Sequence, residues 1–286
     1  MTATWRSVLK DAQAQLGPQR RHEAKWLVQR AAGLDGSDYL LHLDSMPATR
    51  HLAYFDQMLA RRRGGEPLQY VLGRWAFRTL DLLVDRRVLI PRPETEVVAG
   101  LAIDALAAWP LDSRRAIDLG TGSGAIGLSL AAEVPGAYVW LTDRSPDALA
   151  VASANLAGMG GRAATRVTAV ESDWFASLPP ELAGTLAVIV SNPPYIAERT
   201  PLPSDVVDWE PSDALFAGVE GTDDLRHLVS TAGEWLAPAG SLVLELSPEQ
   251  ARSVAELAEA RGFVDVRVEN DLTGRARALV ARRAGP

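Results

Sequence analysis

After Pro110 the chain settles into an alternation that few folds can satisfy: short apolar, β-branched runs, each followed by a stretch with helical spacing. Alternating strand and helix is the mark of a parallel sheet covered on both faces. Strands are predicted over residues 115–119, 138–142, 167–170, 186–190 and 241–246, with helices over 125–133, 146–158, 223–236 and 248–261. Segments 264–269 and 276–281 read as a closing antiparallel pair around Thr273-Gly274. The fold class that follows is α/β, a Rossmann-like sheet of seven strands.

Each of the first four strands ends in a distinctive group. The first runs from Asp118 into Gly120-Thr121-Gly122-Ser123-Gly124, the second ends at Asp143, the third leads into Ser172-Asp173-Trp174, and the fourth into Asn192-Pro193-Pro194-Tyr195. In open α/β sheets, ligands bind outside the carboxyl ends of the strands near the switch in strand order, so these groups are expected to meet there. Glycines let the backbone turn tightly and let a ligand approach the helix N-terminus. Gly122 to Gly127 matches the dinucleotide fingerprint, and Asp143 stands near the offset of a ribose contact, so an NAD-dependent oxidoreductase is a competing reading.

Three features favour S-adenosyl-L-methionine as the cofactor. Asp118 would repel a pyrophosphate but suits a cationic methionine group. Asp173 can accept from an adenine amino group while the Trp174 indole covers its face. Asn192, Pro193, Pro194 and Tyr195 form a stiff set of acceptors beside an aromatic face, because proline offers no N–H and fixes its own backbone. Such a set suits a planar group carrying an NH2. The bland alternatives are Asp118 as a loop hydrogen-bonder, Trp174 as core and Asp143 as a helix cap.

Upstream, residues 1–75 read as a small helical domain, with Trp5, Val8, Leu9, Leu16, Ala24, Trp26, Leu27, Val28, Leu52, Phe55, Met58 and Leu59 at helical spacings. Arg61-Arg62-Arg63 reads as a solvated helix end, and the aromatics as core. Segment 76–96 reads as a hairpin linker. A helix over 97–109, capped by Thr95 or a neighbour, opens the main domain, residues 97–286. The chain has no cysteine, its four histidines lack metal-ligand spacing, and no run approaches the roughly 18 apolar residues of a membrane span. No metal and no membrane contact are expected, and a cytoplasmic location is. Net charge is −7, divided as +4 over residues 1–75 and −11 over the remainder. An acidic main domain argues against tight nucleic-acid binding, which rests on neutralising phosphates.

Several motifs run through nearly the whole chain: Gly65-Glu66-Pro67-Leu68-Gln69-Tyr70, Ile90-Pro91-Arg92-Pro93-Glu94-Thr95-Glu96, Asp118 to Gly124, Ser191-Asn192-Pro193-Pro194-Tyr195-Ile196 and Glu210-Pro211. With these the chain closely resembles the release-factor glutamine N5-methyltransferase family. Leu246-Ser247-Pro248 and Leu215 to Val219 depart from the family's usual pattern. The resemblance implies a class I S-adenosylmethionine-dependent methyltransferase domain and a helical domain that docks the substrate protein. The substrate it implies is the glutamine in the Gly-Gly-Gln loop of peptide chain release factors. By that analogy Gly120 to Gly124, Asp143, Trp174 and Asn192 line the cofactor pocket, and Asn192 to Tyr195 hold the glutamine, with Tyr195 packed on the amide plane. The alternatives are a glutamine of a ribosomal protein, an adenine in nucleic acid, or a non-catalytic binding module.

Overall fold

The computed structural model describes residues 4–285. The chain forms two compact units. The first runs to Arg74 and adds Ser204–Trp209; the second is made of Trp75–Pro203 and the chain from Glu210 on.

The first unit is helical: Trp5–Arg20, Glu23–Ala32, Gly36–Leu41, Thr49–Arg63 and Leu68–Leu72. Thr4 caps the first helix by accepting from the Ser7 N–H, and Gly17, at φ 74°, breaks it before Pro18. Trp5, Leu27, Val28, Phe55 and Met58 are buried between the helices. Trp26, expected among them, lies outside at 41% exposed. The arginine run also departs from expectation. Arg62 is buried and its Nε donates to Glu23 at 2.5 Å, while Arg61 forks onto the Glu66 carboxylate at 2.6 and 2.8 Å. A buried charge must be paired, and the acidic residues that do so are 39 and 5 positions away in the chain.

A hairpin follows, β1 (Arg74–Phe77) and β2 (Leu80–Leu83), turning at Arg78 with a positive φ of 51°. The Arg78 guanidinium forks onto Glu133 at 2.7 and 2.8 Å, which holds the turn. The sheet of the second unit contains β3 (Arg115–Leu119), β4 (Tyr138–Asp143), β5 (Val167–Glu171), β6 (Leu186–Ser191), β7 (Leu236–Glu245), β8 (Phe263–Asn270) and β9 (Ala276–Arg283). Its order is β5-β4-β3-β6-β7-β9-β8. The first five are parallel neighbours, and β9 runs antiparallel to both β7 and β8. Strand order therefore reverses between β3 and β6.

Every residue of β6 is buried, as expected of a central strand covered on both faces. Ile117, Leu119, Ile189, Leu242 and Leu244 pack in one cluster with Leu225, Leu228 and Val229 of helix Asp223–Trp235 and with Val254 and Ala258 of helix Ala251–Ala260. Each such side chain contributes about 1.5–3 kcal/mol of burial. Helix Thr95–Ala107 packs on β6 and β7, and helix Ala125–Glu133 on β3 and β4.

Most boundaries shift by a few residues from the sequence reading, and two of the shifts have a structural reason. β7 begins five residues early, because Pro238-Ala239-Gly240 continues the strand through an irregularity opposite Leu186. Gly240 is required there, since a Cβ would lie 2.8 Å from the Leu186 carbonyl oxygen. The helix expected at 97–109 begins at Thr95, whose hydroxyl makes no capping bond; Glu94 is the flanking residue and does not cap either. What Thr95 does instead belongs to the site.

Candidate functional site

Strand register brings the terminal groups to one level. Leu119 of β3 lies beside Ser191 of β6 and Thr142 of β4, and Asp143 lies beside Glu171 of β5. The Ser191 hydroxyl donates to the Leu119 carbonyl at 2.6 Å, and the Thr121 N–H to the Thr142 carbonyl at 2.8 Å. The loops leaving β3, β4, β5 and β6 therefore start together at the switch in strand order. They enclose a cavity of about 600 Å³ lined by Asp118, Gly120 to Ser123, Asp143, Asp173, Trp174, Asn192 and Pro194. Val88, Leu89, Pro91 and Pro211 to Ala214 supply further wall. Gly124, Pro193 and Tyr195 do not line it.

The glycine loop needs its glycines for two different reasons. Gly120, Gly122 and Gly124 have φ of 69°, 55° and 84°, a region that other L-residues enter at a cost. Gly127, inside the following helix, is required by contact: a Cβ there would lie 2.2 Å from Leu141 Cδ2 and 3.0 Å from Asp118 Cβ. The Asp118 Oδ2 accepts from the Thr121 hydroxyl at 2.6 Å and the Gly127 N–H at 2.8 Å, so this carboxylate also shapes the loop. Burial pushes its pKa up to about 6, against those two hydrogen bonds and with help from the Asp143 charge. Asn155 secures the loop from behind, donating to the Ser123 carbonyl at 2.8 Å and exchanging bonds with Leu83 of β2.

Asp143 accepts from the Gly122 and Ser145 N–H groups, each at 2.9 Å, one on each oxygen. Burial raises its pKa, and the hydrogen bonds from Ser145 and Gly122 oppose that shift. The cap of the next helix is Ser145, which accepts from the Ala148 N–H at 3.2 Å. Trp174 stands at φ 50°, a strained backbone for so large a residue. Its carbonyl is held by the Ser172 hydroxyl at 2.9 Å, and its indole faces the Asp224 carboxylate, whose pKa burial raises and this neighbour helps pull down. The ring lies over the Gly120 backbone, where a Cβ would meet it at 3.5 Å, and its other side packs on the core cluster. Trp174 thus borders the cavity and packs against the core at once.

On the acceptor loop, the Asn192 Nδ2 donates to the Thr95 hydroxyl at 3.3 Å. Pro193 is buried, and Pro194 borders the cavity. Tyr195 is turned inward: its hydroxyl donates to Glu245 Oε1 at 3.2 Å, and its carbonyl accepts from the Gln250 side chain at 2.8 Å. Gln250 also donates to the Gly221 carbonyl, tying the two loops. Glu210 is buried, accepts from the Ile90 N–H at 3.1 Å and pairs with Arg92 at 2.5 Å, which anchors the wall at Pro211.

Thr95, Asn155, Glu210, Asp224, Glu245 and Gln250 were not assigned these roles from the sequence. Only Thr95 and Glu210 carried a signal, as members of two of the quoted motifs. Among the described residues, no cluster of three or more His, Cys, Asp or Glu side chains could hold a metal ion, and no helix is long and apolar enough to cross a membrane.

The donor set fits a cationic, hydroxyl-rich nucleoside ligand. Asp118, Asp143 and Asp173 border the cavity, and its two arginines, Arg87 and Arg144, are paired with Asp85 and Asp213. Open space lies beside Gly122, where a Cβ would meet nothing within 4 Å, so a ligand has room against bare backbone.

The PrmC N-terminal domain family matches residues 3–73, and the Methyltransferase small domain family matches residues 99–206. The sheet order and the glycine loop at the switch point define a class I S-adenosylmethionine-dependent methyltransferase. A release factor glutamine methyltransferase of Bifidobacterium longum is 38% identical over 274 residues, covering 91% of this chain and 92% of the relative. One from Cereibacter sphaeroides is 40% identical over 262 residues, covering 91% and 90%. The chain belongs to the release factor glutamine methyltransferase family. In fold alone it is also similar to the hMettl16 catalytic domain in complex with MAT2A 3'UTR hairpin 1, at a TM-score of 0.56 and 19% identity over 79% of this chain and 80% of that one.

Proposed function

We propose that this chain transfers a methyl group from S-adenosyl-L-methionine to the side-chain N5 of the glutamine in the Gly-Gly-Gln motif of peptide chain release factors, in the cytoplasm. Relatives bearing that activity in their names, at 38–41% identity over most of the chain, support the substrate. The observation that carries the chemistry is the Asn192 amide, whose NH2 is engaged by Thr95 so that its oxygen is left for a ligand's NH2.

In this reading the loop Gly120 to Gly124 and Asp118 hold the methionine end of the cofactor, Asp143 the ribose, and Asp173 with Trp174 the adenine. The bound cofactor supplies an activated methyl group and a good leaving group. The task of the protein is then positioning and electrostatics. A glutamine amide nitrogen is a poor nucleophile because its lone pair is delocalised into the carbonyl. The Asn192 Oδ1 and the Pro193 carbonyl each accept one N–H of that amide, which aims the lone pair and stabilises the positive charge growing on nitrogen. Tyr195 is turned inward and does not meet the amide as the resemblance implied; anchored at its hydroxyl and its carbonyl, it keeps this turn rigid. No general base is needed before attack, since the methylated nitrogen becomes acidic and sheds its proton afterwards.

The test is labelled S-adenosylmethionine with purified release factor, a ribosomal protein and DNA in parallel, and mass spectrometry of the labelled residue. Label on the Gly-Gly-Gln glutamine is expected. Label confined to the ribosomal protein or to adenine would overturn the proposal.

A further inference from the structure

Behind Asn192 the bond to Thr95 continues into a buried polar cluster that ends at Glu245. From the cavity inward the Asn192 Nδ2 donates to the Thr95 hydroxyl at 3.3 Å, Thr95 stands beside the Glu245 carboxylate, and Glu245 Oε1 receives the Tyr195 hydroxyl at 3.2 Å. Thr95 is 4% exposed and Glu245 fully buried. Burial pushes the Glu245 pKa up to about 7, and the Thr95 hydroxyl beside it is first among the groups that pull it back toward the ionised form. The second oxygen, Oε2, is buried without a geometrically complete hydrogen bond.

A hydroxyl has one proton to give. Above a pH of about 7 the carboxylate is ionised and can only accept, and its under-satisfied buried oxygen then claims the proton of the hydroxyl beside it. Thr95 then keeps only lone pairs for Asn192. The two ends of an amide are nearly the same shape, so packing does not choose between them and the hydrogen-bond partner does. Asn192 must therefore turn its NH2 to Thr95 and its oxygen to the cavity.

We propose that Glu245, acting through Thr95, is a positioning residue that sets the polarity of the Asn192 amide and so makes the site an acceptor of an NH2 group. With a donor in place of the carboxylate, Thr95 is free to donate to the Asn192 oxygen. The amide then turns, and an incoming NH2 meets another NH2. A buried carboxylate with an under-satisfied oxygen is a costly structural element, which a neutral pair of similar volume would replace at less expense. The groups facing it are Arg277 of β9 and Tyr195, with Glu94 at the start of helix Thr95–Ala107. None of them replaces the carboxylate, since Arg277 can only donate and Glu94 acts on it through charge alone.

This inference rests on the methyl-transfer reading, and the experiment separates the two. Full-length wild type, Glu245→Gln, Thr95→Val, Thr95→Ser, the Glu245→Gln/Thr95→Val double variant and Asn192→Ala are assayed for kcat with S-adenosylmethionine and release factor. Cofactor affinity is measured on each by calorimetry. Glu245→Gln and Thr95→Val should each lower kcat at least 10-fold with cofactor Kd within about twofold. Thr95→Ser should recover most of kcat, and the double variant should be no slower than the worse single one, because both break one relay. If Glu245→Gln itself loses cofactor binding, the comparison of Thr95→Val with Thr95→Ser decides alone. Wild-type kcat in Glu245→Gln, equal kcat in Thr95→Val and Thr95→Ser, or losses that multiply in the double variant would overturn the relay. An inactive wild type or a fully active Asn192→Ala would instead overturn the underlying reading.

Discussion

Asn192 is a single amide asked to do two things, give its NH2 inward and offer its oxygen outward. Removing it should cost one acceptor at the point where charge develops on the substrate nitrogen. Asn192→Ala is expected to lower kcat on the order of 100-fold, about 3 kcal/mol, by analogy with the loss of one preorganised hydrogen-bonding group. Cofactor affinity measured by calorimetry should change little, and near-wild-type turnover at saturating cofactor would refute the positioning role. Gly127 shows a different kind of constraint. Its backbone tolerates any residue, but a Cβ would lie 2.2 Å from Leu141 Cδ2 and 3.1 Å from the Asp118 Oδ2. Gly127→Ala should therefore destabilise the fold by about 1–3 kcal/mol, the range for overpacking. Urea unfolding measures that, and cofactor affinity should fall with it because Asp118 is displaced. Both glycines belong to the matched fingerprint, yet Gly122 is needed for its φ and the open space beside it, and Gly127 for packing.

At the scale of elements, β3 carries at Asp118, just before the glycine loop, a charge the fold pays to bury. Asp118 titrates at about 6 instead of an ordinary 3.8. An acid whose folded pKa is raised contributes its stability fully below the unfolded pKa, and loses it as pH rises through the folded one. For Asp118 that window runs from about pH 4 to pH 6, and the loss is about 3 kcal/mol at 1.36 kcal/mol for each tenfold change. Asp118→Asn keeps an oxygen for Thr121 and Gly127 but has no charge to bury. Between pH 4 and 7 the stability of that variant, from urea unfolding without cofactor, should decline by about 2–2.5 kcal/mol less than that of the wild type. An unchanged slope would mean that Asp118 is solvated. The elements themselves were largely legible in the chain, since apolar runs of strand length alternate with helical spacing and each run stops at a residue that cannot continue it. The start of helix Thr95–Ala107 was misplaced because Thr95 has the chemistry of a cap, and only the contact with Asn192, 97 positions away, gives its hydroxyl another use.

At the scale of the whole chain, charge is unevenly divided. Residues 1–75 carry +4 and the rest −11, so in the proposed reading electrostatics should weigh more on a protein substrate than on a small cofactor held by local groups of the cavity. Exposed charges are screened beyond roughly 8 Å at physiological ionic strength. Raising salt from 50 to 500 mM should raise KM for release factor several-fold and leave cofactor Kd nearly constant. Parallel steady-state kinetics and calorimetry check this, and a KM insensitive to salt would remove electrostatics from docking.

What the chain determined by itself is local or periodic: where strands and helices run, where glycine must turn the backbone, and which groups end each strand. Those signals lie within a few residues of each other, so they can be read without coordinates. That the loops ending β3, β4, β5 and β6 share one cavity follows from strand order, which the alternating pattern predicts as a class. The roles of Glu245, Asn155, Gln250, Asp224 and Glu210, and the inward turn of Tyr195, were decided only by tertiary structure. Each is a polar group whose partner is distant in sequence: 50 positions for Tyr195 and Glu245, 120 for Ile90 and Glu210. A buried hydrogen bond leaves no period in the chain, and its two ends become partners only when the sheet brings them together.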